Sequence, residues 1–187
     1  MNIILNKKYH GYYLYTSFII VFLLLVAGAA TAQKKSGINI VPVDSGWANN
    51  SVNAVIFRKN SLATHGNTQY IAFYDQQRYV VLGKRELGSK QWQIKRTPYR
   101  GNAADAHNSI SIMTDGAGYL HIAWDHHNNP LHYCRSLQPG SLDLGDEMPM
   151  TGDLEKRVSY PEFYRLSDGN LLFFYRNGQS GQGNLVI

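Results

Sequence analysis

The stretch Leu120-His-Ile-Ala-Trp-Asp-His126 decides the fold, because the chain carries three versions of it. Tyr70-Ile-Ala-Phe-Tyr-Asp75 precedes it and Leu171-Leu-Phe-Phe-Tyr-Arg-Asn177 follows it. Aligned on Ala72, Ala123 and Phe174, the copies stand 51 residues apart both times. Two residues after each anchor come Tyr74, Asp125 and Arg176. A constant apolar strand with a changing polar end is how a repeat architecture assembles a site from equivalent positions.

Around each copy the pattern is strand, turn, strand, polar turn, strand. In the second copy Ser109-Ile-Ser-Ile-Met113 alternates polar and apolar residues, and Thr114-Asp-Gly116 turns the chain. Tyr119 to Trp124 follows, then the polar run Asp125 to Pro130, then Leu131 to Arg135. The third copy has Glu162 to Leu166, the turn Ser167-Asp-Gly169, Leu171 to Tyr175 and finally Asn184 to Ile187. The first has Val52 to Phe57, a looser turn around His65-Gly-Asn67, Tyr70 to Tyr74, Tyr79 to Leu82 and Gln91 to Ile94. Period-two alternation between Gly, Asp and Asn turns marks antiparallel strands. Four short strands in about 50 residues match a β-propeller blade. The expected fold is therefore all-β, with about three four-stranded blades over residues 50–98, 105–150 and 158–187, the last incomplete. A β-sandwich with coincidental spacing is the competing architecture. Propellers close with about four to eight blades, and an open stack would leave unpaired strand edges. The expectation is an N-terminal part of a longer propeller.

Residues 1–32 read as a signal peptide rather than as fold. Lys7 and Lys8 precede an apolar run from Phe18 to Ala30, and Ala30-Thr-Ala32 supplies a small-x-small cleavage site. That layout marks export, so a secreted or periplasmic protein without stable membrane association is expected. The formal net charge is +5, with a pI near 9.3, and two of the positive charges lie in the leader. No run of five basic residues exists, which argues against nucleic acid as a partner. The mild positive bias suits a polyanion. The lone Cys134 excludes a disulfide framework and a Cys-rich zinc site.

In a blade the first strand starts and the second strand ends on the same side of the sheet. His107 precedes the first strand of the second repeat, and Tyr160 takes nearly the same place 53 residues later. Asp125, His126 and His127 end one second strand; Arg176 ends the next. Repeat equivalence thus gathers His107, His126 or His127, Tyr160 and Arg176 on one side, with a base, an acid and a cation among them. Each also has a structural reading: a loop histidine, a blade-edge tyrosine, an arginine paired with Asp125. A metal site built from His121, His126, His127 and His132 is a further reading. It is disfavoured, because a hairpin spreads these side chains whereas zinc needs convergent ligands. No metal and no cofactor are expected.

The segment Asn102 to Ser136, with GYLHIAWDHHNNPLHYCRS, together with SYPEF and FFYRNG, resembles the BNR-repeat family that includes the ulvan lyases and related propeller polysaccharide lyases. The resemblance implies a seven-bladed propeller, of which this chain holds the first part. In that family the site uses two histidines about 20 residues apart and a tyrosine and an arginine about 16 apart. Here His107 to His127 is 20 residues and Tyr160 to Arg176 is 16. The resemblance implies catalytic roles for these four; Asp125 and His126, at the same strand end, are expected as substrate contacts. It implies an anionic polysaccharide as the partner and cleavage of a uronate-containing glycan by β-elimination.

The residue types suit that reaction. An arginine can hold the uronate carboxylate and stabilise the charge that develops next to it. A histidine, with a reference pKa of about 6.5, can act as base near neutral pH. A tyrosine can protonate the leaving oxygen or serve as base. Two other classes stay open. A glycoside hydrolase on the same scaffold needs paired carboxylates, for which Asp105 and Asp125 are available. A non-catalytic glycan-binding propeller would use the thirteen Tyr and three Trp for stacking.

Overall fold

A computed structural model describes residues 37–48 and 60–187. The leader at 1–32 and the strand expected over Val52 to Phe57 lie outside the described residues. Two compact units divide the chain, Met1–Ile40 and Val41–Ile187. Residues 37–40 of the first unit have no regular structure. The second unit holds eleven strands and, among the described residues, no helix.

Three antiparallel sheets follow one another along the chain. The first contains β1 (Leu62–His65), β2 (Thr68–Tyr74), β3 (Tyr79–Glu86) and β4 (Gln93–Arg100), paired in chain order. The second contains β5 (Ser111–Thr114), β6 (Leu120–Ala123) and β8 (Tyr133–Arg135). The third contains β9 (Val158–Arg165), β10 (Leu171–Asn177) and β11 (Asn184–Val186), with β7 (His127–Asn129) on its other edge. The repeated stretches Tyr70 to Asp75, Leu120 to His126 and Leu171 to Asn177 thus supply the second strand of each sheet. Several details differ from the expectation: the second sheet has three strands rather than four, β4 runs Gln93–Arg100 rather than Gln91 to Ile94, and β9 begins at Val158 rather than Glu162. The strand entering the first hairpin within the described region is Leu62–His65. The polar run Asp125 to Pro130 is not only a turn, because three of its residues form β7 and join the next sheet.

Pleating divides each strand between two faces. Ile112, Leu120, Ile122 and Cys134 of the second sheet are fully buried against Ala72, Val80 and Leu82 of the first. Ala123 and Tyr133 face the other way and pack with Phe163 of the third sheet. Burying a side chain of this size contributes roughly 1.5–3 kcal/mol. The period-two alternation in the repeat thus assigns successive residues to the two faces that pack against the neighbouring sheets.

The leading strands are also tied by hydrogen bonds. Ile112 N–H donates to the Asn60 carbonyl at 2.5 Å, and Phe163 N–H donates to Ser111 Oγ at 3.2 Å. The two Asp-Gly turns meet directly, with Gly116 N–H donating to the Gly169 carbonyl at 2.7 Å. A Cβ on Gly169, whose φ is +90°, would stand 2.7 Å from Gly116 Cα. Glycine is required there because two backbones touch.

Candidate active site

The site forms where the ends of the second and third sheets meet. Strand β9 organises it. On one side His127 of β7 is the register partner of Ser159, and on the other Arg176 of β10 is the register partner of the same Ser159. Both neighbours of one residue therefore bring a candidate site side chain to its flanks. Ser159 is fully buried; its Oγ accepts Asn128 N–H at 2.7 Å and donates to the Gly178 carbonyl at 3.3 Å.

Tyr160 comes next and sits on a bulge. The register runs Phe174 to Glu162 and then Arg176 to Ser159, so Tyr160 and Pro161 together face Tyr175. Pro161 has no N–H to give the ladder, which interrupts pairing here. Tyr160 has φ +56°, a left-handed value that costs a side-chain-bearing residue about 1–2 kcal/mol. Such strain is retained where the fold must aim a side chain away from the regular pleat.

His107 arrives on the connection between β4 and β5. Asp125 fixes that connection, since its Oδ1 accepts Asn102 N–H at 2.7 Å and also the Asn108 side-chain amide. Asp105 then accepts the His107 backbone N–H at 2.9 Å through the same oxygen that contacts His107 Nδ1 at 3.0 Å. Its second oxygen contacts His127 Nδ1 at 2.8 Å. One carboxylate thus bridges two imidazoles, whose ring centroids lie 4.3 Å apart. Burial pushes the Asp105 carboxyl up, but the His107 N–H and the two imidazoles outweigh it and hold it below the usual carboxylate range. A carboxylate at both Nδ1 atoms leaves both Nε2 atoms for other partners.

The Tyr160 ring centroid lies 5.9 Å from each of the His107 and His127 rings. The Arg176 guanidinium stands 4.8 Å from the same centroid. Arg176 Nε donates to the Gly178 carbonyl at 3.0 Å, while its Nη2 is buried without a hydrogen-bond partner. A buried, unpaired guanidinium nitrogen is costly, and an oxyanion is its natural complement. Tyr160, Phe174, Tyr175, Arg176 and Leu185 help line a hollow of about 550 Å³ beside it.

His107, His127, Tyr160 and Arg176 are therefore brought together. The two expected substrate contacts are not. His126 is 1% exposed and its Nε2 accepts His132 N–H at 2.8 Å. Burial lowers its pKa to about 3. His126 lies in the connection between β6 and β7, after Asp125 at φ +64°, and is buried there, whereas His127 opens β7 and is half-buried. Asp125 spends its carboxylate on the loop that carries His107, and burial raises its pKa. His121 and His132 have separate acidic partners, Asp115 at 3.2 Å and Glu147 at 2.8 Å. Of the histidines grouped by sequence for a metal, His127 alone has a donor atom near two other potential ligands. Those are Asp105 and His107, and the three donor atoms lie within 4.8 Å of one another.

Asp105 was legible as a loop carboxylate but not as the bridge. Its signal is the Asp-x-His spacing, which closes a local turn onto the following histidine.

A model of a BNR repeat-containing family matches residues 68–187. An ulvan lyase of Nonlabens ulvanivorans is 24% identical over 181 aligned residues, covering 83% of this chain and 38% of the relative. The crystal structure of the polysaccharide lyase Uly1 superposes with a TM-score of 0.61 at 15% identity, covering 83% of this chain and 42% of that one. An ulvan lyase bound to a GlcA(1-4)Rha3S chain superposes with a TM-score of 0.59 at 14% identity, covering 77% and 36%. The chain thus spans about two fifths of the length of the relatives it matches, and its fold is shared with these polysaccharide lyases. With that model covering every strand from β2 onward, the chain belongs to the BNR repeat-containing family.

Proposed function

We propose that this chain carries the catalytic cluster of an exported polysaccharide lyase that cleaves a uronate-containing, ulvan-like glycan by β-elimination. The observation that carries the reading is the convergence of His107, His127 and Tyr160 beside an Arg176 nitrogen that is buried and unpaired. The names of the relatives, and the acidic sugar chain bound to one of them, support the substrate class. Export rests on the layout of residues 1–32.

In this mechanism Arg176, whose Nη2 has no hydrogen-bond partner, binds the uronate carboxylate. Electron withdrawal there makes the C5 proton removable, and fixed charge at such a position typically contributes about 3 kcal/mol. The Nε2 of His107 or His127 takes the C5 proton. The electron pair left at C5 forms the C4–C5 double bond as the C4–O4 bond breaks. The Tyr160 hydroxyl gives its proton to O4. Asp105 is a positioning residue in this scheme, holding both imidazoles with Nε2 toward the substrate.

The fold reading extends in the same way. We infer that the three sheets are successive blades of a propeller. The bonds between leading strands support it, and so does the outer face of the third sheet, where Tyr164 and Leu185 are 47% and 70% exposed. Apolar side chains on a sheet face call for a further layer.

The test is to express the protein from its complete reading frame and incubate it with ulvan and other uronate polysaccharides. Rising ultraviolet absorbance from unsaturated uronates is the expected result. New reducing ends without that absorbance would replace the reading with hydrolysis. Binding without any turnover would replace it with a glycan-binding module.

A further inference from the structure

A second basic cluster lies at the same end of the sheets, one repeat upstream. Strand β2 ends at Tyr74, the repeat equivalent of Asp125, which lies two residues past the end of β6, so the turn after β2 and the end of β4 share the site's side. Tyr79 opens β3 and is the register partner of Arg100. The Arg100 guanidinium lies 4.1 Å from the Tyr79 ring centroid, and that of Arg96 lies 4.7 Å from it. Arg96 is balanced by an ion pair with Asp75 and a hydrogen bond to Gln77 at 2.7 Å. Arg100 and the neighbouring Arg78 are exposed, and neither has a carboxylate partner among the described residues.

The backbone ties this cluster to the catalytic loop. Gly101 N–H donates to the Arg78 carbonyl at 3.1 Å, and Trp124 Nε1 donates to the Arg100 carbonyl at 3.1 Å. The next residue, Asn102, is held by Asp125. The chain then reaches Asp105 and His107 directly. Arg78 itself sits at φ +67°, in a turn capped by Asp75.

We propose that Arg78 and Arg100 form an anion subsite for a sulfate ester or carboxylate on a sugar beyond the one cleaved. Two guanidiniums share one aromatic ring while one carboxylate neutralises one of them, so this spot holds unbalanced positive charge. Stacking on Tyr79 restrains the long side chain of Arg100, which reduces the ordering cost of binding. A planar, pre-placed guanidinium matches a two-oxygen anion. The inference rests on the acidic-glycan reading above.

Its test is a binding measurement that needs no turnover. The affinity of the protein for ulvan and for chemically desulfated ulvan is measured by calorimetry at low and high ionic strength. Wild type is compared with Arg78→Ala, Arg100→Ala and Arg100→Lys, each checked for an unchanged melting temperature. The expected result is a loss of about tenfold for each Ala variant at low salt, a smaller loss for Arg100→Lys, and a shallower salt dependence. A larger loss toward intact than toward desulfated ulvan identifies sulfate as the bound group; equal losses identify the carboxylate. Affinities equal to wild type in both Ala variants would overturn the subsite. A protein that binds with this pattern yet releases no unsaturated product would overturn the lyase reading alone.

Discussion

The rings of His107 and His127 lie 4.3 Å apart although 20 residues separate them, and a different oxygen of Asp105 meets each Nδ1. This shared carboxylate turns two loop histidines into one unit. An amide at that position can accept from one imidazole but not from both.

Asp105→Asn should therefore lower the elimination rate by at least about tenfold, in line with other residues that orient catalytic histidines. Nitrogen-detected NMR of the imidazoles is the discriminating readout, since one histidine should move its proton from Nδ1 to Nε2. A slow variant in which both tautomers are unchanged would assign Asp105 a structural role only.

Tyr160 offers an inverted stability test. At φ +56°, glycine is the unstrained residue. Tyr160→Gly should be more stable than Tyr160→Ala by about 1 kcal/mol in urea unfolding, the reverse of the usual order in a strand. Tyr160→Phe should keep the stability and lose the turnover. An alanine variant more stable than the glycine variant would remove the claim of strain.

Arg176 can be moved without being mutated. A Cβ on Gly183 would stand 2.5 Å from Arg176 Cγ and 2.7 Å from its Cδ. Gly183→Ala should swing the guanidinium off the Tyr160 ring and cost about 10–100-fold in elimination, within the range for lost electrostatic contacts. Retained activity, with the ring contact shown to be broken, would exclude Arg176 from the reaction.

Acid should weaken the fold through His126. Its folded pKa is about 3 because burial disfavours the charged ring, whereas the unfolded value is near 6.5. Below about pH 6.5 the unfolded chain takes up a proton that the native state refuses. Stability is thus full above that pH and falls as the pH drops toward 3, by at most ~1.4 kcal/mol per unit from this group. Asp105, held below its ordinary value, adds a further loss at the acid end of the range. Urea midpoints measured from pH 7 to 4 should fall more steeply for wild type than for His126→Asn. Parallel curves would remove His126 as the cause.

Much of this was legible in the chain. The 51-residue spacing identified the second strand of each sheet, because period-two burial must be encoded locally in residue order. Repeat equivalence singled out His107, His126 or His127, Tyr160 and Arg176, and the family resemblance, with its 20- and 16-residue intervals, pointed to His127. What it missed is instructive. His126 and His127 are equivalent in the sequence, and only the path of the connection between β6 and β7 buries one and leaves the other half-buried. Asp125 reads as a site residue at a strand end, yet its Oδ1 holds the loop of His107.

Sequence by itself determined the strand pattern, the repeat and the candidate set, since these follow from residue order and side-chain type. Tertiary structure alone decided the pairing of β7 and β10 on opposite sides of Ser159, the bulge that turns Tyr160 and the carboxylate shared by two imidazoles. Those are contacts between segments distant in the chain, fixed by register and packing between sheets, and no local pattern encodes them.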